Sequence, residues 1–131
     1  MNETIQKMKP TILIVEDHDN VRASLFDWLS TTFPECRFLE AKSGEEAVAA
    51  ACLQLPAIVL MDIELQKMNG IEATRDIKSV VPKTHIVMLS IHQHSKYKIE
   101  AIKAGASAYV TKHMMQRELI PLLETFLPQL K

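Results

Sequence analysis

The chain has 131 residues, 47% of them hydrophobic and 24% charged, with 15 Lys and Arg against 16 Asp and Glu. That is a balanced globular composition, long enough for one core that buries roughly two thirds of the surface its unfolded form exposes. No basic excess or basic run marks a nucleic-acid binder, no apolar run approaches the about 20 residues of a membrane span, and the polar start MNETIQKMKP lacks the apolar stretch of a secretory signal.

Cys36 and Cys52 form no metal-ligand pattern and sit among apolar neighbours, which suits free thiols used as small core residues in a reducing compartment. The expected location is therefore cytoplasmic.

In chain order, short apolar runs alternate with helical periodicity. Ile12 to Val15 reads as a buried strand, and Val21, Leu25, Trp28 and Leu29 then mark one face of a helix. Phe38 to Ala41 is the second strand. Ser43 with Glu46 is a capping box that opens a helix facing inward through Val48, Ala51, Cys52 and Leu55. The third strand, Ile58 to Met61, is followed by a helix opened at Asn69 and Gly70. Ile86 to Leu89 is the fourth strand, and Ser95 to Ala104 a helix closed by Gly105. Ala108 to Val110 is the fifth, and Leu119, Leu122, Leu123 and Phe126 outline a last helix. Pro121 inside it removes a backbone donor, so a late start or a kink is expected.

Five βα units with apolar strands predict an α/β, doubly wound parallel sheet, because right-handed crossovers place helices on both faces. No repeat, linker or low-complexity segment divides residues 1–131, which read as a single domain.

Open parallel sheets bind ligands outside the carboxyl ends of their strands. Strand one ends in Glu16 and Asp17, strand three in Asp62 and strand four in Ser90, and Lys112 follows strand five closely. Three acids at one edge repel one another unless a cation joins them, and an all-oxygen set favours a hard ion such as Mg2+. Lys112 can offset the same charge or pair with a phosphate. Taken singly, Asp62 suits a loop or cap, Ser90 a turn, and Tyr109 the end of an edge strand. His92 and His94 have no obvious third ligand nearby and read as loop histidines without metal.

The stretches ILIVED, IVLMDIELQKMNG, VMLS and GASAYVTK, in order and suitably spaced, resemble the CheY-like receiver domains of two-component response regulators. HDNVR and MNGIEAT are most similar to the subfamily that precedes a LuxR/NarL-type helix-turn-helix domain. The resemblance implies flavodoxin-like strand order 2-1-3-4-5 and a phosphoacceptor, Asp62, charged by the phosphotransfer domain of a histidine kinase. It implies Mg2+ held by Asp17 directly, by Glu16 through water, by Asp62 and by the backbone carbonyl of Glu64. Ser90 and Lys112 would contact the phosphoryl oxygens, with Ser90 and Tyr109 switching the surface of the fourth helix, fifth strand and fifth helix.

The receiver itself would not be an enzyme beyond slow self-phosphorylation and self-dephosphorylation. Its output would be transcription control through an effector domain outside this chain, with a homodimer allowed and no nucleic-acid or membrane contact by the chain itself. Two alternatives are a pseudo-receiver that works without phosphate and an aspartate-nucleophile phosphatase. The sequence departs from the family at His113, where a cis-proline is usual and a trans bond is expected here, and at Gln66-Lys67, which replace the usual proline-glycine.

Overall fold

The computed structural model describes residues 9–127. Residues 1–8, most of the polar start, and residues 128–131 lie outside the described part. Five strands, β1 (Thr11–Val15), β2 (Arg37–Ala41), β3 (Ile58–Asp62), β4 (His85–Ser90) and β5 (Ala108–Thr111), alternate with five helices. These are α1 (Asp19–Thr32), α2 (Gly44–Gln54), α3 (Gly70–Val80), α4 (Ser95–Ala104) and α5 (Met115–Phe126), the last preceded by a 3-10 turn, Lys112–Met114. The strands form one parallel sheet in the order β2-β1-β3-β4-β5.

The pleat divides the core in two. Leu13, Val15, Val59, Met61, Ile86 and Met88 pack with α2, α3 and α4. Ile12, Ile14, Ile58, Leu60, Val87 and Leu89 point the other way, onto α1 and α5. Strands buried on both faces need no polar alternation, which is why they read as unbroken apolar runs.

The ladders extend beyond those runs, because pairing follows the backbone and not side-chain polarity. Asp62 pairs with Leu89, and Ser90 with Thr111, so both polar residues are the last rungs of their strands.

Several inward-facing assignments change. Val21 and Leu55 are exposed. Arg22 takes the inward place in the first turn of α1, and Leu55 lies past the end of α2 in a left-handed C-cap, φ 49°. Cys52 is exposed and Cys36 half-buried, both as free thiols. The inner face of α2 is carried by Ala47 and Ala51, small residues that let the helix lie close to the sheet.

Ser43 accepts from the Glu46 N–H, but the Glu46 carboxylate accepts from the Lys42 N–H, so the box is only half formed there. The reciprocal box is at α3, between Asn69 and Glu72. α5 does not start late: it begins at Met115 and passes through Pro121, which is exposed, so that water can serve the carbonyl that loses its donor. Gly105 closes α4 at φ 114°, as expected. The Lys112–His113 bond is trans. Among the described residues no helix is long and apolar enough to cross a membrane.

Candidate functional site

Parallel register brings the carboxyl ends of β1, β3, β4 and β5 to one edge. Glu16 continues β1 by donating its N–H to Ala41 O (3.1 Å), and its side chain is almost wholly buried. Asp62 is 2% exposed. Its Oδ1 accepts from the Glu64 N–H (3.0 Å), and its Oδ2 accepts from Lys112 Nζ (3.0 Å). Lys112 opens the 3-10 turn after β5, and its Nζ also reaches Glu16 Oε1 (3.3 Å). One ammonium thus joins two buried carboxylates from neighbouring strands, β1 and the central β3.

Burial and the neighbouring Glu16 carboxylate push Asp62 up to about 6, against the opposing pull of Lys112 and the Glu64 N–H. Burial also acts to raise Glu16, but hydrogen bonds from Asp62 and His18, with the charge of Lys112, outweigh it and hold Glu16 down at about 2. Burial works against the Lys112 ammonium, yet Asp62 and Glu16 keep its affinity for the proton above the ordinary value. Like charges crowded in one pocket share protons in this way.

Asp17 is the least satisfied of the acids. Its Oδ1 is buried without a hydrogen-bond partner; His18 Nδ1 lies 3.0 Å away but bonds Glu16 Oε2 instead, at 3.1 Å. Ligand atoms of Glu16, Asp17 and His18 fall within 4.8 Å of one another. His18 is exposed, and its hydrogen bond to Glu16 and the charge of Asp17 raise its affinity for a proton. A buried carboxylate oxygen with no donor, beside two further acids, fits a hard cation with oxygen ligands. The side chains whose ligand atoms come together there are Glu16, Asp17 and His18, and Asp62 lies outside that group.

Ser90 is fully buried at the end of β4, and its Oγ accepts from the His92 N–H (2.9 Å). Tyr109, half-buried in β5, donates its hydroxyl to His92 O (2.6 Å). The His92 imidazole meets the Glu64 carboxylate and stacks on Tyr97, with ring centroids 4.2 Å apart. His92 is thus a hub between the β3–α3 loop and α4, a role that its place in the sequence does not reveal. His94 caps α4 by accepting from the Lys96 N–H.

The β3–α3 loop folds back on Asp62. Gly70 donates its N–H to Ile63 O (2.9 Å), and a Cβ at Gly70 would lie 2.2 Å from Asp62 O, which only glycine avoids. Lys67 takes the left-handed region at φ 65°, so the Gln66-Lys67 replacement keeps a sharp turn at some cost in strain. A cleft of about 380 Å³ lined by Asp17, Lys42, Ser43, Glu45, Gln66 and Lys67 opens beside the acids.

Sequence reasoning also passed over Arg22, whose guanidinium bonds Glu16 O (2.8 Å), Asp19 Oδ1 (2.8 Å) and Glu40 Oε1 (3.2 Å). The signal available was an Arg at the first inward position of an otherwise apolar helix face.

Residues 12–124 match the model of the response regulator receiver domain. The chain is 36% identical over 121 residues to the transcriptional regulatory protein DegU of Brevibacillus brevis, covering 92% of this chain and 51% of that protein. It is 33% identical over 108 residues to the response regulator protein VraR of Staphylococcus aureus, covering 82% and 52%. The chain therefore spans about half the length of the curated relatives it matches.

Among solved structures, a LuxR-family two-component response regulator from Aurantimonas sp. SI85-9A1 aligns with a TM-score of 0.83 at 34% identity, over 89% of this chain and 84% of that one. Vibrio cholerae CheY4 shares the fold, with a TM-score of 0.81 at 23% identity over 91% and 99% of the two chains. The matched span runs from β1 into α5 and takes in every strand end described above, and the chain belongs to the response regulator receiver domain family.

Proposed function

We propose that this receiver accepts a phosphoryl group on Asp62 from the phosphohistidine of a histidine kinase. The observation that carries the reading is the buried Asp62 carboxylate at the end of β3 with one oxygen on Lys112. In the transfer an Asp62 oxygen forms the new O–P bond while the N–P bond of phosphohistidine breaks, and the imidazole keeps the electron pair and takes a proton.

Asp62 must be ionised to attack, and a pKa near 6 leaves it mostly so at neutral pH. Lys112 is placed to exchange its contact with the free carboxylate for one with a phosphoryl oxygen, offsetting charge where it develops. The Ser90 hydroxyl, whose oxygen already accepts from His92 N–H, keeps its own hydrogen for a second phosphoryl oxygen. Asp17, Asp62 and the Glu64 carbonyl would hold Mg2+ directly and Glu16 through water, and the ion would supply charge neutralisation and in-line orientation.

The output of the switch is a change in the surface of α4, β5 and α5. Drawing Ser90 toward the phosphoryl group pulls on His92, and His92 carries the pull to Tyr109 and Tyr97. Residues 1–131 act as one receiver domain in the cytoplasm, not an enzyme beyond slow self-phosphorylation and self-dephosphorylation. The receiver acts on transcription through a separate effector domain, a reading supported by its likeness to a transcriptional regulatory protein, with homodimer formation as an accompanying state and without touching DNA or membrane itself.

A beryllofluoride titration with Mg2+ tests this by NMR. Amide signals of Ser90, His92 and Tyr109 should move in the wild type and stay fixed in Asp62→Asn. A wild type that binds Mg2+ but shows no such movement would favour a binding module that works without phosphate.

A further inference from the structure

We propose that Arg22 is a positioning residue of the acidic site: its buried guanidinium holds the Glu16–Asp17 turn open for a divalent cation and sets the affinity for that cation without touching it. The inference rests on the metal reading given under the proposed function.

Arg22 is 8% exposed in the first turn of α1, a place where an apolar side chain would satisfy packing. A guanidinium there is costly unless its donors are met, and they are met by groups on three different segments. Nη1 donates to Glu16 O after β1, Nη2 to Asp19 Oδ1 on α1, and Nε to Glu40 Oε1 on β2.

The bond to Glu16 O is the informative one. That oxygen belongs to the peptide unit joining Glu16 to Asp17, so fixing it fixes the direction in which the Asp17 side chain leaves the backbone. The Glu16 N–H is already tied to Ala41 O. Glu16 is therefore held through both its N–H and its carbonyl, while Asp17 Oδ1 stays buried and without a hydrogen bond. Lys112 gathers Glu16 and Asp62 from inside the pocket. Arg22 instead acts on the backbone, through the Glu16 carbonyl, and leaves the pocket carboxylates themselves untouched. A residue that only pinned α1 to β2 would need Glu40 and not Glu16 O. Lysine has the charge but no planar fork, and cannot serve the three acceptors in their fixed directions.

The test compares wild type, Arg22→Lys and Glu40→Gln by Mg2+ titration calorimetry on the full chain, with acetyl phosphate labelling rates measured across Mg2+ concentration. Arg22→Lys should bind Mg2+ about tenfold more weakly, the lower end of what losing an outer contact does to metal affinity. Its labelling rate at saturating Mg2+ should stay within about twofold of wild type, the pattern of lost binding without lost chemistry. Glu40→Gln, which loosens one anchor and leaves the Glu16 contact, should lose less. Equal Mg2+ affinity in wild type and variants overturns this inference alone, as does a fall in the saturating rate at unchanged affinity. Failure of the wild type to bind Mg2+ overturns it together with the metal reading. If Arg22→Lys does not fold, Glu40→Gln decides by the same criterion.

Discussion

The Tyr109 hydroxyl donates to the His92 carbonyl at 2.6 Å while the N–H of the same His92 donates to Ser90 Oγ at 2.9 Å. One peptide segment is thus held from both sides, by a residue at the Asp62 edge of the sheet and by an aromatic on β5. Ser90→Ala should leave phosphorylation measurable but shrink the amide shifts around Tyr109 that a phosphoryl mimic causes. Tyr109→Phe should do the same at a stability cost of about 1 kcal/mol for one hydrogen bond. Full-sized shifts in Ser90→Ala would show that the two sites are not coupled through His92.

The titration of Asp62 gives stability a defined pH dependence. Raised to about 6 from an ordinary value near 4, the group binds its proton more tightly folded than unfolded. Its favourable contribution is therefore complete below its unfolded pKa and is lost as pH rises through about 6. Glu16 has the opposite sign, since its lowered pKa gives stability that is present above its unfolded value and lost only as pH falls toward about 2.

Between pH 4 and 7 the Asp62 contribution therefore dominates. In metal-free buffer Asp62→Asn should be more stable than wild type by about 3 kcal/mol at pH 7.5, from the rise to about 6 at ~1.4 kcal/mol per pKa unit. The gain should hold down to about pH 6 and shrink from there toward pH 4. Urea melts at four pH values measure it, and a gain that does not vary with pH would contradict the assignment.

Acid crowding makes a parallel prediction for Asp17. Its Oδ1 is buried without a donor, so Asp17→Ala should relieve repulsion and stabilise the fold by up to about 1 kcal/mol while weakening Mg2+ binding at least about tenfold. Calorimetric titration of unchanged affinity would remove Asp17 from the ligand set.

Gly70 tests the loop that covers Asp62. With a Cβ at 2.2 Å from Asp62 O, Gly70→Ala forces the β3–α3 loop off the strand end and should cost about 3 kcal/mol or more, in the range of severe overpacking. The urea midpoint should fall accordingly. A near-neutral effect would mean that the loop moves freely, and its hold on Asp62 would be lost as an explanation of geometry.

The fold was largely legible because five strands buried on both faces leave an unmistakable apolar pattern, and because the edge of a parallel sheet says where polar ends meet. Glu16, Asp62 and Lys112 come together as their strand positions predict, and Ser90 ends the next strand at the same edge. What the sequence hid depends on packing between elements. Leu55 looks like the next turn of α2 until the chain leaves the helix in a left-handed cap. Pro121 looks like a boundary, yet α5 tolerates it on its exposed side. Arg22 bonds the Glu16 carbonyl, and His92 offers its own N–H to Ser90 Oγ and its own carbonyl to Tyr109, and no spacing rule reports such partners.

The most direct measurement is the intact mass of the protein after incubation with acetyl phosphate, with and without Mg2+. The account predicts one added phosphoryl group in wild type only when Mg2+ is present, stable in acid and labile in base as an acyl phosphate is, and none in Asp62→Asn. An adduct that persists in Asp62→Asn, or repeated release of phosphate from phosphomonoesters with no adduct at all, would contradict it.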